Sequence, residues 1–315
     1  MTERPGPAGD ATGGSMPTTP VCYRHPDRET YIRCTRCDRS ICPDCMRDAS
    51  VGHQCPECVN EGRRSVRPAR TAFGGGTAGR RGLVTRTLIA LNLLVMVLSI
   101  ASDRGGDAMV GGAGLGGLLG GGTPLTQWGS VIGYAWYVDF GPMHGVAAGE
   151  WYRLVTAMFL HYGLVHLLLN MWALWVLGRD LEALLGPLRF LALYLIAGLG
   201  GNVAAYVFSA PNTASAGAST AVFGLFAAVF VLMRRLGRDT SAILPILVIN
   251  LIFTFTVPNI SIPGHIGGLL TGAAMAWVLA YAPRTRRSVF QAGGAGVILV
   301  LLFGLALVRT AALLG

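Results

Sequence analysis

The sequence predicts an all-α polytopic membrane protein with a small cysteine-rich module before its first membrane helix. Three observations lead to this fold class. Of the 315 residues, 52% are hydrophobic and only 13% are charged, which is too apolar for a soluble globular protein of this length. Seven apolar runs approach the roughly 20 residues that cross a bilayer as a helix. All seven cysteines lie between Cys22 and Cys58, ahead of those runs.

The part before the membrane helices divides into three segments by composition. Residues 1–20 are rich in Pro, Gly, Ser and Thr without periodicity, which predicts disorder. Residues 21–60 hold the cysteines, and residues 61–82 form a basic, Gly-rich linker that we expect to lie against anionic lipid headgroups. No apolar stretch typical of a cleavable signal peptide precedes residue 83, so we expect the first membrane helix to direct insertion.

The cysteine-rich segment has the spacing of a metal-binding module. It contains four pairs of potential ligands, each separated by two residues: Cys22/His25, Cys34/Cys37, Cys42/Cys45 and Cys55/Cys58. Eight such ligands complete two tetrahedral zinc sites with no open coordination position, which predicts two structural zinc ions and no metal-based catalysis. Paired free thiols of this density also indicate a reducing, cytosolic environment for the N-terminus.

Seven predicted transmembrane helices define a membrane domain over residues 83–308. They lie at about 83–101, 164–181, 188–208, 216–233, 242–257, 264–281 and 289–308. The arginine clusters before the first helix, between the second and third, and after the fourth and sixth all fall on one side. The positive-inside rule then places the N-terminus in the cytoplasm and the C-terminus outside, and we expect a multi-pass protein of a bacterial plasma membrane. The net charge of +9 is read as this orientation signal.

The connection over residues 102–163 is longer than the other loops. Its first half is Gly-rich, whereas its second half contains aromatic residues that favour a membrane interface: Trp128, Trp136, Tyr137, Trp151 and Tyr152. A loop of this length usually has its own structure or a function. We expect a partly embedded hairpin in the outer leaflet.

Polar residues open three of the predicted helices. Ser219 begins the fourth, where free backbone N–H groups and the positive end of the helix dipole would favour developing negative charge. It lies 15 residues before Arg234, which places it roughly 22 Å above the cytoplasmic boundary. His265 begins the sixth helix. Taken alone, Ser219 could serve packing or capping, and His265 could bind a backbone carbonyl.

His265 shares one helical face with Gly268 and Gly272, which would allow a neighbouring helix to approach closely. His166 and Asn170 lie on one face at the start of the second helix, where they could also be interhelical hydrogen-bonding groups. The three helices enter from the same side of the membrane. A hydroxyl, two imidazoles and an amide are therefore expected to meet at one depth.

This combination favours nucleophilic catalysis. Ser219 would be the nucleophile and His265 the general base, while His166, Asn170 and the Ser219 backbone N–H would hold an oxyanion. The nearest carboxylates in sequence belong at the cytoplasmic end of the second helix or in the long loop: Asp180, Glu182, Asp139 and Glu150. The sequence therefore predicts a Ser-His dyad rather than a Ser-His-Asp triad.

Residues 83–308 resemble a rhomboid intramembrane serine protease. The matching motifs are Gly217-x-Ser219, His161-x4-His166-x3-Asn170, Gly264-His265-x-x-Gly268, Trp151-x-Arg153 and Gly178-x3-Glu182. The resemblance implies a six-helix catalytic core plus one C-terminal helix, and cleavage of transmembrane segments of other membrane proteins near their outer ends. It implies the same roles for Ser219, His265, His166 and Asn170, with His161 a weaker candidate near the oxyanion site.

Two positions depart from the pattern of this family. Thr220 follows the predicted nucleophile where the family usually has Gly, and the larger side chain could either disturb close packing or simply be tolerated. Phe223 stands where the family often has a Tyr that stacks on the base. A catalytically inactive rhomboid-like scaffold that binds membrane proteins is the alternative function. A small-solute transporter is disfavoured, because the carboxylates avoid the middle of the predicted helices.

The cysteine-rich module resembles a B-box-type zinc finger. This resemblance implies cross-braced sites, with Cys22, His25, Cys42 and Cys45 in one and Cys34, Cys37, Cys55 and Cys58 in the other. Arginines surround the ligand pairs at positions 24, 28, 33, 36 and 39. We expect a solvated surface that could bind a cytosolic protein partner, and we do not expect nucleic acid binding.

Overall fold

A computed structural model of the protein describes residues 19–65, 70–76, 82–103, 121–137, 141–241, 243–258 and 260–315. The chain divides into two compact units, Met1–Pro68 and Ala69–Gly315. Almost all of the segment predicted to be disordered, residues 1–20, lies outside the described residues.

Short antiparallel strands, a 3-10 turn (Pro43–Cys45) and an α-helix make up the described part of the first unit. β1 (Val21–Cys22) pairs with β2 (His25–Glu29), and β3 (Arg47–Asp48) pairs with β4 (His53–Gln54). α1 (Pro56–Ser65) follows. The buried core consists of cysteines and Ile41, as expected for a module too small for a conventional hydrophobic core. Because α1 continues to Ser65, the predicted linker over residues 61–82 is helical at its start.

Helices dominate the second unit, in the order predicted from the apolar runs. They are α2 (Leu83–Ser102), the short α3 (Pro124–Gly129) and α4 (Arg153–Thr156), α5 (Gly163–Leu185), α6 (Pro187–Phe208), α7 (Ser219–Arg235), α8 (Ile243–Thr256), α9 (Ile262–Tyr281) and α10 (Arg287–Leu314).

Five of these helices, α2, α5, α6, α9 and α10, are long and apolar enough to cross a membrane. The other two predicted spans form shorter helices, α7 with 17 residues and α8 with 14. Most side chains of α7 are buried among neighbouring helices, so protein rather than lipid surrounds it. The all-α membrane fold is therefore confirmed, with five clear spans among the seven predicted.

Glycines allow α9 to lie directly against α6 and α7. A Cβ atom on Gly272 would fall 2.2 Å from the Cα of Gly224 in α7, and one on Gly267 would fall 2.2 Å from the Cβ of Ala204 in α6. A Cβ on Gly268 would fall 2.0 Å from the Thr220 carbonyl oxygen. The predicted close contact through Gly268 and Gly272 is confirmed, and it holds the first turns of α7 and α9 together.

The long connection between α2 and α5 is folded where the structure describes it. β5 (Ala135–Tyr137) and β6 (Gly141–His144) form an antiparallel hairpin between α3 and α4. The Arg153 side chain is buried; it donates to the Glu150 carboxylate at 2.6 Å and to the Gln127 and Ser130 carbonyls at 2.7 and 3.1 Å. Much of the Gly-rich first half lies outside the described residues, and the membrane depth of the hairpin stays a prediction.

Residues 70–76, in the middle of the predicted linker, pack against the membrane helices. The side chain of Phe73 is only 4% exposed and belongs to the main hydrophobic core. Gln291 of α10 donates to the Phe73 carbonyl at 3.3 Å, and Arg287 donates to the Ala72 carbonyl at 3.1 Å. Phe73 therefore anchors this part of the predicted basic linker to the membrane helices, and its contact with lipid headgroups stays a prediction.

Candidate active site and metal centres

Ser219 and His265 lie within hydrogen-bonding distance of each other. Ser219 is the first residue of α7, and His265 lies in the first turn of α9. The distance from His265 Nε2 to Ser219 Oγ is 2.8 Å. The serine is half-buried and the imidazole is buried. A partly accessible hydroxyl next to a buried imidazole is the arrangement that activates a serine nucleophile.

Local structure fixes both residues. The Ser261 hydroxyl caps α9 by accepting the Gly264 N–H at 3.1 Å, which sets the position of the turn that carries His265. Ser219 stands at the start of α7, where the first N–H groups have no partner within the helix. The local dipole of α7 therefore points its positive end at the serine.

Two further residues hold the imidazole of His265. The Phe223 ring stacks on it with centroids 4.1 Å apart and an angle of 19° between the planes. This confirms that Phe223 supplies the ring expected to stack on the predicted base. On the other side of the imidazole, Nδ1 lies 2.8 Å from the Thr254 hydroxyl of α8. The second ring nitrogen thus contacts a hydroxyl.

His166 faces the same small space as the Ser219 hydroxyl. A Cβ placed on Gly217 would lie 2.9 Å from His166 Nε2 and 3.2 Å from Ser219 Oγ. Gly217 has a φ of +143°, which L-residues rarely adopt. The absence of a side chain at Gly217 therefore keeps open a space that both His166 and Ser219 border.

Asn170 and His161 lie close to His166 in different ways. Asn170 is buried, and its amide donates to the His166 carbonyl of the same helix at 2.8 Å. His161 packs edge-on against His166, with centroids 5.1 Å apart, and its Nε2 accepts the Ala218 N–H at 3.4 Å. The structure thus brings Ser219 and His265 into direct contact, places His166 beside the space that Ser219 borders, and joins Asn170 to the His166 carbonyl.

The Glu182 carboxylate, near the C-terminal end of α5, caps the start of α2 at the opposite end of the helix from His166. It accepts the N–H groups of Val84 and Thr85 at 3.0 and 2.9 Å and the Thr85 hydroxyl at 2.8 Å. These bonds satisfy the free N–H groups at the start of α2. The sequence placed Glu182 at the cytoplasmic end of its helix but did not identify this capping contact.

The eight predicted metal ligands form two clusters with the expected grouping. Within each cluster the donor atoms lie within 4.8 Å of one another. One cluster contains Cys22, His25, Cys42 and Cys45, and the other contains Cys34, Cys37, Cys55 and Cys58. The distances from His25 Nδ1 to the sulfurs of Cys22, Cys42 and Cys45 are 3.8, 3.3 and 3.4 Å. A tetrahedral zinc site with Zn–S bonds of about 2.3 Å has ligand edges of about 3.8 Å. Both clusters are therefore compatible with a metal ion.

The thiols of each cluster differ in how readily they ionise. Burial opposes ionisation of Cys22 and Cys34, but backbone N–H groups outweigh it, and the pKa of each thiol falls to about 6. Burial and neighbouring sulfurs raise the pKa of Cys45 to about 11, and they also raise the pKa of Cys58. A divalent cation would supply the positive charge that full ionisation of each cluster requires.

Carboxylates neutralise most of the arginines around the two clusters. The ion pairs are Arg28–Asp44, Arg33–Asp38 at 2.7 Å, Arg36–Glu61 at 3.5 Å and Arg39–Glu57 at 2.5 Å. A nucleic acid surface needs free cations aligned for phosphates. In the described module, four of the five arginines named above are therefore paired with carboxylates, and the choice of partner stays a prediction.

Fold and site together define a helical membrane protein with a serine-histidine pair at the start of two packed helices. A family model described as the Rhomboid domain matches residues 148–282. Rhomboid protease GluP of Bacillus subtilis strain 168 is 44% identical over 135 residues, which cover 40% of this chain and 26% of that protein. The protein YdcA of the same strain, a candidate rhomboid protease by name, is 36% identical over 139 residues, which cover 42% of this chain and 70% of YdcA.

The chain belongs to the rhomboid family. Similarity also extends to a member named inactive. Inactive rhomboid protein 1 of Papio anubis is 35% identical over 129 residues, which cover 39% of this chain and 15% of that protein. This chain spans about a quarter of the length of GluP. Integral membrane location follows from the family and the apolar helices.

Proposed function

We propose that this protein is an intramembrane serine endopeptidase that cleaves transmembrane segments of other membrane proteins. One observation carries the proposal: Ser219 Oγ lies 2.8 Å from His265 Nε2 at the joined N-terminal ends of two apolar helices. An ionisable side chain in such a position is costly unless it serves a function. Protease-named relatives at 44% and 36% identity support the same chemistry.

In the proposed reaction, Ser219 Oγ attacks the carbonyl carbon of the scissile peptide bond while His265 Nε2 takes the hydroxyl proton. His265 then returns this proton to the leaving amine as the C–N bond breaks, which leaves an acyl-enzyme. A water molecule that gives its proton to His265 next attacks the ester. Collapse of the second intermediate releases the carboxylic acid and restores the Ser219 hydroxyl.

Negative charge on the carbonyl oxygen would develop in the space beside Gly217, which His166 Nε2 borders. We assign His166, Asn170 and the Ser219 backbone N–H as donors to this oxyanion. His166 is supported by the position of its Nε2 at this space. Asn170 already uses one amide hydrogen on the His166 carbonyl and keeps a second for the oxyanion.

The arginine distribution supports an active site near the outer surface. α5, α7 and α9 begin at the site, and their opposite ends carry or precede basic residues: Arg179, Arg234, Arg235, Arg284, Arg286 and Arg287. On the site's own side, Arg153 is held by carbonyls and a carboxylate, and Arg309 donates to the Ser209 carbonyl at 3.3 Å. We therefore propose a cytoplasmic N-terminus, an outer C-terminus and a bacterial plasma membrane.

We propose that residues 21–60 bind two structural zinc ions and that the module contacts a cytosolic protein. Metal analysis of the full-length protein should give a zinc-to-protein ratio near two. Cys42→Ser and Cys55→Ser lie in different clusters, and each should lower the ratio to near one. A ratio near zero in the wild type would refute the zinc assignment.

A fluorophosphonate probe tests the protease proposal, because it labels only an activated serine. The purified wild type should be labelled, and labelling should disappear in Ser219→Ala and in His265→Ala. Ser209→Ala, at the end of α6 on the same side, is the matched control and should label like the wild type.

The second candidate is a catalytically inactive scaffold, which the 35% identity to Inactive rhomboid protein 1 favours. A folded wild type that neither labels nor cleaves would support this function. Covalent capture of membrane proteins by a crosslinker in Ser219→Ala would then identify its partners.

A further inference from the structure

Thr254 contacts the imidazole of His265 from the side opposite Ser219. Thr254 lies near the end of α8 and is 2% exposed. Its Oγ1 is 2.8 Å from His265 Nδ1 and 2.8 Å from the carbonyl oxygen of Asn250, one turn earlier in α8. One hydroxyl therefore joins the backbone of α8 to the ring of the proposed base.

The chemistry of these three groups fixes the direction of the two hydrogen bonds. A carbonyl can only accept, so the single hydroxyl proton of Thr254 is donated to Asn250. Oγ1 then accepts a proton from His265 Nδ1 through a lone pair. The reverse tautomer, without a proton on Nδ1, would need that same hydroxyl proton and would lose one of the two bonds.

A proton on Nδ1 leaves Nε2 of a neutral imidazole free to accept. Nε2 is the nitrogen that lies 2.8 Å from Ser219 Oγ. The serine hydroxyl then donates to Nε2, which is the direction of proton transfer that a nucleophile needs. The Thr254 contact thus selects the productive tautomer.

Elsewhere α8 is held weakly to the other helices. Several of its large apolar side chains are exposed from the protein, including Ile252, Phe253 and Phe255. Thr254 is the buried residue of this helix in the part of the chain that the structure describes. The orientation of the His265 ring is therefore tied to the position of a helix most of whose large apolar side chains are exposed from the protein.

We propose that Thr254 is a positioning residue that holds His265 in the Nδ1–H tautomer and makes the reactivity of Ser219 depend on the seating of α8 against α9. This inference rests on the proposed protease function. In the resulting hydrogen-bonded series Ser219–His265–Thr254, the third group is a neutral hydroxyl on a separate helix.

The test compares two threonines of the same helix. Thr254→Val removes the hydroxyl and keeps the shape of the side chain. Thr256→Val is the matched control, because the Thr256 hydroxyl makes the same bond to the carbonyl four residues earlier, at 2.8 Å, but is exposed and does not approach His265. Thr254→Ser restores the hydroxyl.

Fluorophosphonate labelling should be resolved into the maximal labelling rate constant and the probe concentration at half-maximal rate. We expect Thr254→Val to lower the rate constant about 10- to 100-fold with little change in the half-maximal concentration, because loss of the orienting group of a catalytic histidine acts on the chemical step. Thr256→Val should stay within about threefold of the wild type, and Thr254→Ser should recover most of the rate. Equal rates in Thr254→Val and Thr256→Val would overturn the inference.

Nitrogen NMR of ¹⁵N-histidine-labelled protein reports the tautomer without any need for activity. The signals of His265, assigned by their loss in His265→Asn, should show a protonated Nδ1 in the wild type and in Thr256→Val, and a changed tautomer balance in Thr254→Val. A wild type with the proton on Nε2 would also overturn the inference, even if Thr254→Val does not fold. Absence of Ser219-dependent labelling in the wild type would instead refute the protease function, and the NMR result would still decide the tautomer.

Discussion

The substitution Gly217→Ala tests the space between His166 and Ser219, which the proposed oxyanion would occupy. The added Cβ would lie 2.8 Å from His166 Cε1, 2.9 Å from His166 Nε2 and 3.2 Å from Ser219 Oγ. Carbon atoms in contact prefer separations of about 3.5 Å or more, so the imidazole must move by about 0.7 Å. Such a movement takes His166 Nε2 away from the reacting oxygen.

Two costs follow from this substitution. The φ of +143° at Gly217 is unfavourable for alanine and costs about 1–3 kcal/mol of folding free energy. Loss of one oxyanion donor lowers a reaction rate about 10²- to 10³-fold, or about 2.7–4 kcal/mol in the activation barrier. We therefore expect the fluorophosphonate labelling rate to fall about 100-fold or more, with a smaller loss of thermal stability.

Gly237→Ala is the control for backbone strain. Gly237 follows the opposite end of α7, has a φ of +67°, and a Cβ there would meet no atom within 4 Å. This variant should lose stability and keep labelling within about threefold of the wild type. If Gly217→Ala is folded and labels as fast as Gly237→Ala, the assignment of the oxyanion to the space beside His166 is wrong.

Three other substitutions test the oxyanion site, the long connection between α2 and α5, and the anchoring of the linker. Asn170→Ala should slow labelling about tenfold or more without unfolding, and an unchanged rate would remove Asn170 from the oxyanion site. Burial acts to raise the pKa of the Glu150 carboxyl, but hydrogen bonds from Arg153, His144 and the Gly145 N–H outweigh it and lower that pKa in the folded protein. The ionised Glu150 carboxylate therefore stabilises the folded protein fully above the pKa of about 4.3 that glutamate has in the unfolded chain, and this stabilisation is lost as the pH falls further. Glu150→Gln should accordingly lower the melting temperature at pH 7, and the melting temperatures of variant and wild type should converge in acid. Phe73→Ala should cost about 3 kcal/mol of stability, measured by thermal denaturation, whereas Phe208→Ala, with its side chain 72% exposed, should cost little.

Much of the fold was predictable because membrane insertion imposes long apolar runs. Each of the seven runs corresponds to a helix, with ends within a few residues of those expected. The contact between Ser219 and His265 was predictable for a related reason. Both residues open helices that enter from one side, and the spacing of Gly268 and Gly272 marks the face on which those helices meet.

Other features depend on contacts between distant segments, which local patterns do not encode. The composition of residues 61–82 predicts a basic linker at the lipid headgroups and does not indicate that Phe73 joins the main hydrophobic core and that its carbonyl accepts from Gln291, more than two hundred residues later. Thr254 gave no periodic or motif signal, although a hydroxyl residue buried in an apolar helix is a general indication of a polar partner. Its partner became identifiable only once α8 and α9 were placed side by side.

Thr220, which departs from the family pattern, packs against a glycine of a neighbouring helix. The sequence indicated that a residue larger than Gly after Ser219 could disturb close packing. The Thr220 Cβ lies 2.6 Å from the position that a Cβ on Gly201 would take, so the threonine occupies space that this glycine of α6 leaves open. The Thr220 hydroxyl is buried without a hydrogen-bond partner among the described residues, which carries a cost of about 1–3 kcal/mol in stability. Thr220 therefore carries a cost in stability, and because a Cβ on Gly264 would fall 3.3 Å from Thr220 Cγ2, it also packs beside the turn that holds His265.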